Sequence, residues 1–307
     1  MREITAVQIE ETVRRLCMEA NRKLPEDIKD AVRRDTGREE HPLARNILED
    51  LKRNWETAEE LNLPVCQDTG MAVVFVRLGQ EVHITGGLLA DAVNRGVSRG
   101  YLEGKLRCSV VGDPLRRVNT GDNTPAVLHL ELVPGEEMEI TVAPKGFGSE
   151  NMSRITMLTP AAGRDKVLEC IVDAARQAGS NPCPPMVLGV GIGGDFELCA
   201  LLAKKALCRA LSVPNADAYY AEMEKEALER VNALGVARAD LHPDRVRVTW
   251  AEGQRRVGPE ALVKLVTSHV DRARLFPPAS MELKLDTSRG PAARLDEARQ
   301  LLAGLAR

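Results

Sequence analysis

The stretch Pro64-Val65-Cys66-Gln67-Asp68-Thr69-Gly70 sets a thiol, an amide, a carboxylate and a hydroxyl side by side in a turn bounded by Pro and Gly. Such turns place side chains where a helix or strand cannot. Alone, the stretch reads as a Cys under a loop, with Asp68 and Thr69 satisfying nearby backbone groups. The rest of the chain changes that reading. A second cysteine, Cys183, lies in another Pro-flanked irregular segment, Asn181-Pro182-Cys183-Pro184-Pro185. Two lone thiols, each beside a strand-like run, point to a soft metal centre with open polar groups for a substrate. Zinc favours closely paired C-x-x-C ligands, and none occur here. Cysteines from separate loops suit an iron–sulfur cluster with one open iron better.

Two polar segments lie between the cysteines. Asn119 to Pro125 is dense in turn-forming and hydrogen-bonding side chains, more than a plain connector needs. Asp122 and Asn123 are read there as equally suited to bracing the loop and to chemistry. In Lys145-Gly146-Phe147-Gly148-Ser149-Glu150-Asn151 the glycines would let a ligand approach the backbone, and a helix start would offer N–H donors to an anion. No Gly-Lys-Ser/Thr closes it, so it is not a Walker loop. Gly189, Gly191, Gly193 and Gly194 stand between a strand-like run and a helix, as in a dinucleotide site. Their spacing is not G-x-G-x-x-G, so nucleotide binding through Gly191 to Gly194 is a distant rival.

The elements that must position these groups follow from periodicity. Ile4 to Asn21 has helical spacing with Thr5 able to cap it, and Pro25 breaks it. Pro25 to Thr36, ended by Gly37, and Pro42 to Leu61 predict two more helices. Met71 to Val76 and Val82 to Ile84 predict strands, and Leu88 to Glu103 a helix. Cys108 opens an apolar strand-like run. Ala126 to Val133 and Met138 to Pro144 predict two strands joined by Pro134-Gly135. Gly163 to Gly179 predicts a helix, Met186 to Val190 a strand, then a helix through Leu211, and Ala216 to Ala233 a charged helix stopped by Gly235. Beyond that the sequence is Arg-rich and Pro-interrupted, with a strand at Arg245 to Trp250 and helices at Pro259 to Ala273 and Ala292 to Leu305. The fold class is α/β: a helical N-terminal region, residues 1–62, then a mixed sheet core flanked by helices, 63–275, and a C-terminal extension, 276–307.

The chain has 307 residues, a net charge of −3 and only 3% aromatic content, so its core is aliphatic and nothing marks it as a nucleic-acid or membrane binder. No apolar run is long enough to span a bilayer, and the start lacks a signal-peptide pattern, so the cytoplasm is the expected compartment. Seven cysteines argue against a disulfide framework. Cys17, Cys170, Cys199 and Cys208 fall in helical patterns and are expected as small buried apolar residues, Cys108 likewise. His83 and His129 lie in strand patterns and are expected to be structural.

Cys66-Gln67-Asp68-Thr69-Gly70, Leu106-Arg107, Pro114-Leu115, Asn119-Thr120, Asp122 to Ala126, Pro144-Lys145-Gly146, Gly148 to Asn151, Cys183-Pro184-Pro185 and Gly189 to Gly194 occur in a particular order. In that order they resemble the alpha subunit of the class I fumarate hydratase and L(+)-tartrate dehydratase family of iron–sulfur hydro-lyases, over roughly residues 1–235. The resemblance implies a [4Fe-4S] cluster held by three cysteines, with one iron open to a 2-hydroxy dicarboxylic acid. Cys66 and Cys183 match two ligands. Gln67 and Asp68 match residues beside the substrate, Asp68 holding or polarising a base that similar enzymes place on the other subunit or domain. Arg107 matches a carboxylate-binding arginine. Lys145, Gly146, Gly148, Ser149 and Asn151 match the loop that meets the substrate. A separately encoded beta subunit is the expected partner.

The match fails towards the end. The third ligand position falls at Ser268, beside His269, and no cysteine lies beyond Cys208. Serine is a poor iron ligand beside thiolate. Three readings follow: an altered and inactive enzyme, a cluster-less scaffold or regulatory subunit of the same fold, or a site completed by Cys199 or a partner's residue.

Overall fold

The computed structural model describes residues 1–234, apart from 41 and 184, and a short hairpin at 239–242 and 245–248. In chain order the elements are β1 (Arg2–Thr5), α1 (Ala6–Arg22), α2 (Glu26–Arg38), α3 (Pro42–Leu61), β2 (Met71–Gly79), β3 (Val82–Thr85), α4 (Leu89–Glu103), β4 (Val127–Val133), β5 (Met138–Lys145), the single turn α5 (Phe147–Glu150), α6 (Gly163–Ala178), α7 (Phe196–Ala206), α8 (Ala218–Asn232), β6 (Ala239–His242) and β7 (Arg245–Val248). This is an α/β chain with a mixed sheet flanked by helices.

The central sheet has the order β4-β2-β5. β4 runs parallel to β2, with Val74 opposite Leu128, and β5 runs antiparallel to it, with Val74 opposite Val142. The strands joined through Pro134-Gly135 therefore do not pair with each other, because β2 lies between them. The connection crosses the end of β2, where the Gly79 amide donates to the Glu137 carbonyl at 2.8 Å. A Cβ on Gly79 would lie 2.4 Å from the Gly135 carbonyl oxygen, so the crossing needs glycine there.

β2 is buried on both faces, which explains its run of Val and Ala in place of an alternating pattern. Ala72, Val74 and Val76 face α1 and α4 and share one core with Ile9, Val13, Cys17, Val93, Val97 and Tyr101. The helices approach closely because Gly96 and Gly100 of α4 meet α1 directly; a Cβ on Gly96 would lie 2.6 Å from the Glu10 carbonyl oxygen. On the opposite face Phe75 stacks on His129, ring centres 5.1 Å apart. α7 covers that side through Lys205, which pairs with Glu131 of β4 at 2.6 Å. His129 is structural, as expected.

Local signals explain most boundaries. Thr5 caps α1 in a reciprocal capping box with Gln8. Four residues before it form β1, parallel to β3, which the helical spacing hid. α2 runs through Gly37 to Arg38, since one glycine in a helix costs only about 1 kcal/mol. Met186 to Val190 is extended but joins no sheet among the described residues. Instead Gly189 and Gly191 press against α7: added Cβ atoms would lie 2.3 Å from the Ala203 carbonyl oxygen and 2.0 Å from that of Cys199. α7 itself ends at Ala206, short of Leu211. The run opened by Cys108 is not a strand; only Val111 and Asn119 form an isolated bridge. Cys17 is buried, but Cys208 is exposed, since the chain has left the helix there. The expected helices at 259–273 and 292–305 lie outside the described residues. No helix among the described residues is long and apolar enough to cross a membrane.

Candidate functional site

The Cys66 turn connects α3 to β2, and its geometry is set by buried neighbours. Tyr101 donates its hydroxyl to the Thr69 carbonyl at 2.9 Å, and Thr69 donates its own to the Arg107 carbonyl at 2.9 Å. Gly70 sits at φ +63°, where a Cβ would lie 2.3 Å from the Lys145 carbonyl carbon and oxygen. Glycine is therefore required both by the backbone angle and by the close approach to the end of β5.

Asn123 ties the three segments together. It is fully buried, with φ +62°. Its side-chain oxygen accepts the amides of Ser109 at 2.6 Å and Val110 at 3.1 Å, and its NH2 donates to the Gly70 carbonyl at 3.0 Å. Asn tolerates the left-handed region better than other side chains. Asp122 closes the loop beside it by accepting the Thr124 amide at 3.1 Å and hydroxyl at 2.8 Å. Burial pushes the Asp122 carboxyl up, but the hydrogen bonds from Thr124, Thr120 and Ser98 outweigh it and hold the group below its usual range. In the structure both residues brace the loop.

Asp68 bridges two segments. One carboxylate oxygen accepts the Gly70 amide at 3.1 Å; the other accepts the Phe147 amide at 2.9 Å. Gly146 packs on this carboxylate, where a Cβ would lie 3.1 Å from Oδ2. Lys145, at the end of β5, donates to the Ser149 hydroxyl at 2.6 Å, and Ser149 donates to the Gly146 carbonyl at 3.2 Å. The ammonium also lies 3.5 Å from Glu150. Burial pulls Lys145 below the usual lysine value, with Glu150 and Asp68 opposing.

Cys66 donates its S–H to the Gln67 side-chain oxygen at 3.4 Å and accepts the Asp68 amide at 3.4 Å. Desolvation pushes its thiol up, and the charges of Asp68 and Cys183 add to that. Loop contacts hold the segment before Cys183 beside the Phe147 turn. Gly148 faces the Asn181 carbonyl, where a Cβ would lie 3.3 Å away, and the Asn181 amide NH2 lies 3.4 Å from the Met152 sulfur. Cys183 then turns at φ +61°. Both thiols are free and exposed.

The structure thus brings together Cys66, Gln67, Asp68, Lys145, Gly146, Gly148, Ser149 and Cys183. Arg107 joins them through its carbonyl; its guanidinium is exposed and has no hydrogen-bond or ion-pair partner among the described residues. Asn151 is exposed one residue beyond α5, its amide donating to the Phe147 carbonyl at 3.0 Å. Ser268 lies outside the described residues. Among the described residues no three His, Cys, Asp or Glu side chains converge as a metal site. The donor set there is two thiols, which fits two corners of a thiolate-bound cluster. Sequence reasoning missed Tyr101 and Lys204. Tyr101 sits in a helical apolar pattern and Lys204 looks like any charged helix residue, so neither carried a local signal.

The fumarate hydratase (Fumerase) family pattern matches residues 10–239. A Methanocaldococcus jannaschii chain, provisionally named L(+)-tartrate dehydratase subunit alpha, is 36% identical over 244 residues, covering 78% of this chain and 85% of its own length. L(+)-tartrate dehydratase subunit alpha of Escherichia coli and of Shigella boydii are each 29% identical over 218 residues, covering 70% of this chain and 71% of their own. The residues gathered around Asp68 fall within the matched span, and the chain belongs to the fumarate hydratase family of hydro-lyases as an alpha-type subunit.

Proposed function

We propose that this chain is the cluster-bearing subunit of an iron–sulfur hydro-lyase that removes water from a 2-hydroxy dicarboxylic acid, malate to fumarate or tartrate to oxaloacetate. The observation that carries this reading is the clamped carboxylate of Asp68, which ties the turn of the exposed Cys66 to the Phe147 turn, against which the segment leading to the exposed Cys183 packs. Those thiols would hold two corners of a [4Fe-4S] cluster. When bound, the cluster supplies Lewis acidity to the substrate hydroxyl.

The chain's own residues bind and orient. Arg107 offers a planar fork to one substrate carboxylate. Lys145 and the Gly146 to Asn151 loop receive an anionic group. Gln67 borders the substrate beside Cys66. Asp68 is held in one orientation by two amide donors and is placed to hold or polarise the base that takes the proton from the neighbouring carbon. That base is a hydroxyl on a beta subunit, so the active unit is a heteromer.

A cluster-less scaffold of the same fold is the second reading, favoured by serine at position 268. Anaerobic reconstitution with the beta subunit separates them. Bound iron and sulfide, with turnover of malate or tartrate that is lost in Cys66→Ser and Cys183→Ser, supports the enzyme. A colourless, iron-free protein that still pairs with its partner supports the scaffold.

A further inference from the structure

We propose that Lys204 is a positioning residue for Lys145: it occupies the Glu150 carboxylate and so leaves the Lys145 ammonium available to an anionic group of the substrate. This rests on the reading that the Lys145 loop receives the diacid.

Two ammonium groups address one oxygen. Lys204 pairs with Oε2 of Glu150, and Lys145 lies 3.5 Å from the same atom. Lys145 is held instead by Ser149, at 2.6 Å. All three side chains are mostly sheltered, at 15% exposed for Lys145, 30% for Glu150 and 25% for Lys204. In so sheltered a place a lone Lys145–Glu150 pair would close on itself, because charges attract more strongly away from water. With Lys204 present the three groups sum to one positive charge. The other charge felt by Lys145 here is Asp68, whose oxygens already accept the Gly70 and Phe147 amides.

Lys204 is also well placed from behind. Its neighbour Ala203 is pressed by Gly189, and Lys205 fastens the same helix to Glu131 of β4. The Lys204 backbone is therefore fixed by contacts that do not involve Glu150. A mere ion-pair brace between α7 and α5 would be lost in a double neutral variant as fully as in the single one; a charge guard is lost only when Lys204 alone is neutralised.

Calorimetric titration of the complex of this chain and its beta subunit with succinate, a four-carbon dicarboxylate without a hydroxyl, tests this. Lys204→Met should weaken succinate binding about tenfold, the scale of one partly screened charge. Lys204→Arg should bind as the unaltered chain does. Glu150→Gln combined with Lys204→Met restores the single positive charge and should recover affinity to within about twofold. Lys204→Met binding normally, or the double variant staying as weak as the single, overturns the proposal. If Lys145→Met is weak while Lys204→Met is normal, only the role of Lys204 falls. If Lys145→Met also binds normally, or the unaltered complex binds no succinate, the anion-binding loop falls and the role of Lys204 with it. Circular dichroism melts of each variant separate lost binding from lost fold.

Discussion

The Asp68 carboxylate accepts the Phe147 amide at 2.9 Å across 79 residues of chain. Its other oxygen accepts the Gly70 amide from its own turn, so one side chain joins the loop before β2 to the loop after β5. A neutral amide in place of the carboxylate keeps one acceptor oxygen and loses the other. Asp68→Asn should therefore cost about 1–2 kcal/mol of stability, the range for hydrogen bonds to a charged acceptor. Activity on malate or tartrate in the reconstituted complex should fall at least about a hundredfold, the scale of a lost acid–base partner. A denaturant midpoint lowered in proportion to that loss, with turnover reduced far more at denaturant-free conditions where the chain is still folded, is the expected pair of results. Unchanged turnover would remove Asp68 from the mechanism.

Asn123 carries more of the stability than Asp68. It is fully buried and makes three hydrogen bonds to backbone, at Ser109, Val110 and Gly70. Asn123→Ala leaves two amides and a carbonyl without partners and keeps a positive φ that Ala adopts poorly. The expected loss is about 3–4 kcal/mol, read by urea or thermal unfolding. Asn123→Asp keeps the acceptor but loses the donor to Gly70, so it should fall between. A loss under about 1 kcal/mol for Asn123→Ala would contradict the role of the side chain as the tie among the three segments.

Local elements were legible because their signals are local. The Thr5–Gln8 capping box and the apolar faces of α1, α3 and α6 stand in the sequence itself. Pairing was not legible. Pro134-Gly135 looks like a hairpin turn, yet β2, some sixty residues earlier, separates the two strands it joins. Met186 to Val190 has strand composition, but Gly189 and Gly191 commit it to a helix face. The candidate site behaved similarly. Cys66, Asp68 and the Lys145 loop stood out because polar and glycine residues cluster there against the expectation for a connector. Asn123 read equally as brace and as chemistry, since a turn needs the same residue types. Lys204 was invisible, because an ion pair across 54 residues leaves no periodic trace.

Gly70 is the position where backbone and site depend on one atom. Gly70→Ala places a Cβ 2.3 Å from the Lys145 carbonyl group and 2.6 Å from the Gly146 amide nitrogen, at φ +63°. None of these atoms is the end of a flexible side chain. The loop after β5 must move, or the turn must. Either way the Asp68–Phe147 bond is lost along with the packing. The expected cost is about 3 kcal/mol or more, combining positive-φ strain with overpacking. Succinate binding should be lost even at temperatures where circular dichroism still reports a folded chain. A variant that folds and binds normally would show that the turn reorganises freely and that neither the backbone angle nor the close approach demands glycine.

Glu150 gives a prediction in pH. Burial pushes its carboxyl up, but the Lys204 and Lys145 ammonium groups outweigh that and hold it below the usual 4.5. A carboxyl lowered in the folded state contributes stability that is fully present above the unfolded value and is lost as pH falls through the folded one. Glu150→Gln removes that contribution. At pH 7 the variant should therefore be the less stable protein, and the difference should shrink below about pH 4.5 as the native carboxyl takes up its proton. Urea unfolding of both proteins between pH 3 and pH 7 measures it. Two stability curves that stay parallel through that range would mean that Glu150 is not held by the two lysines. The charge arrangement that frees Lys145 would then have no basis.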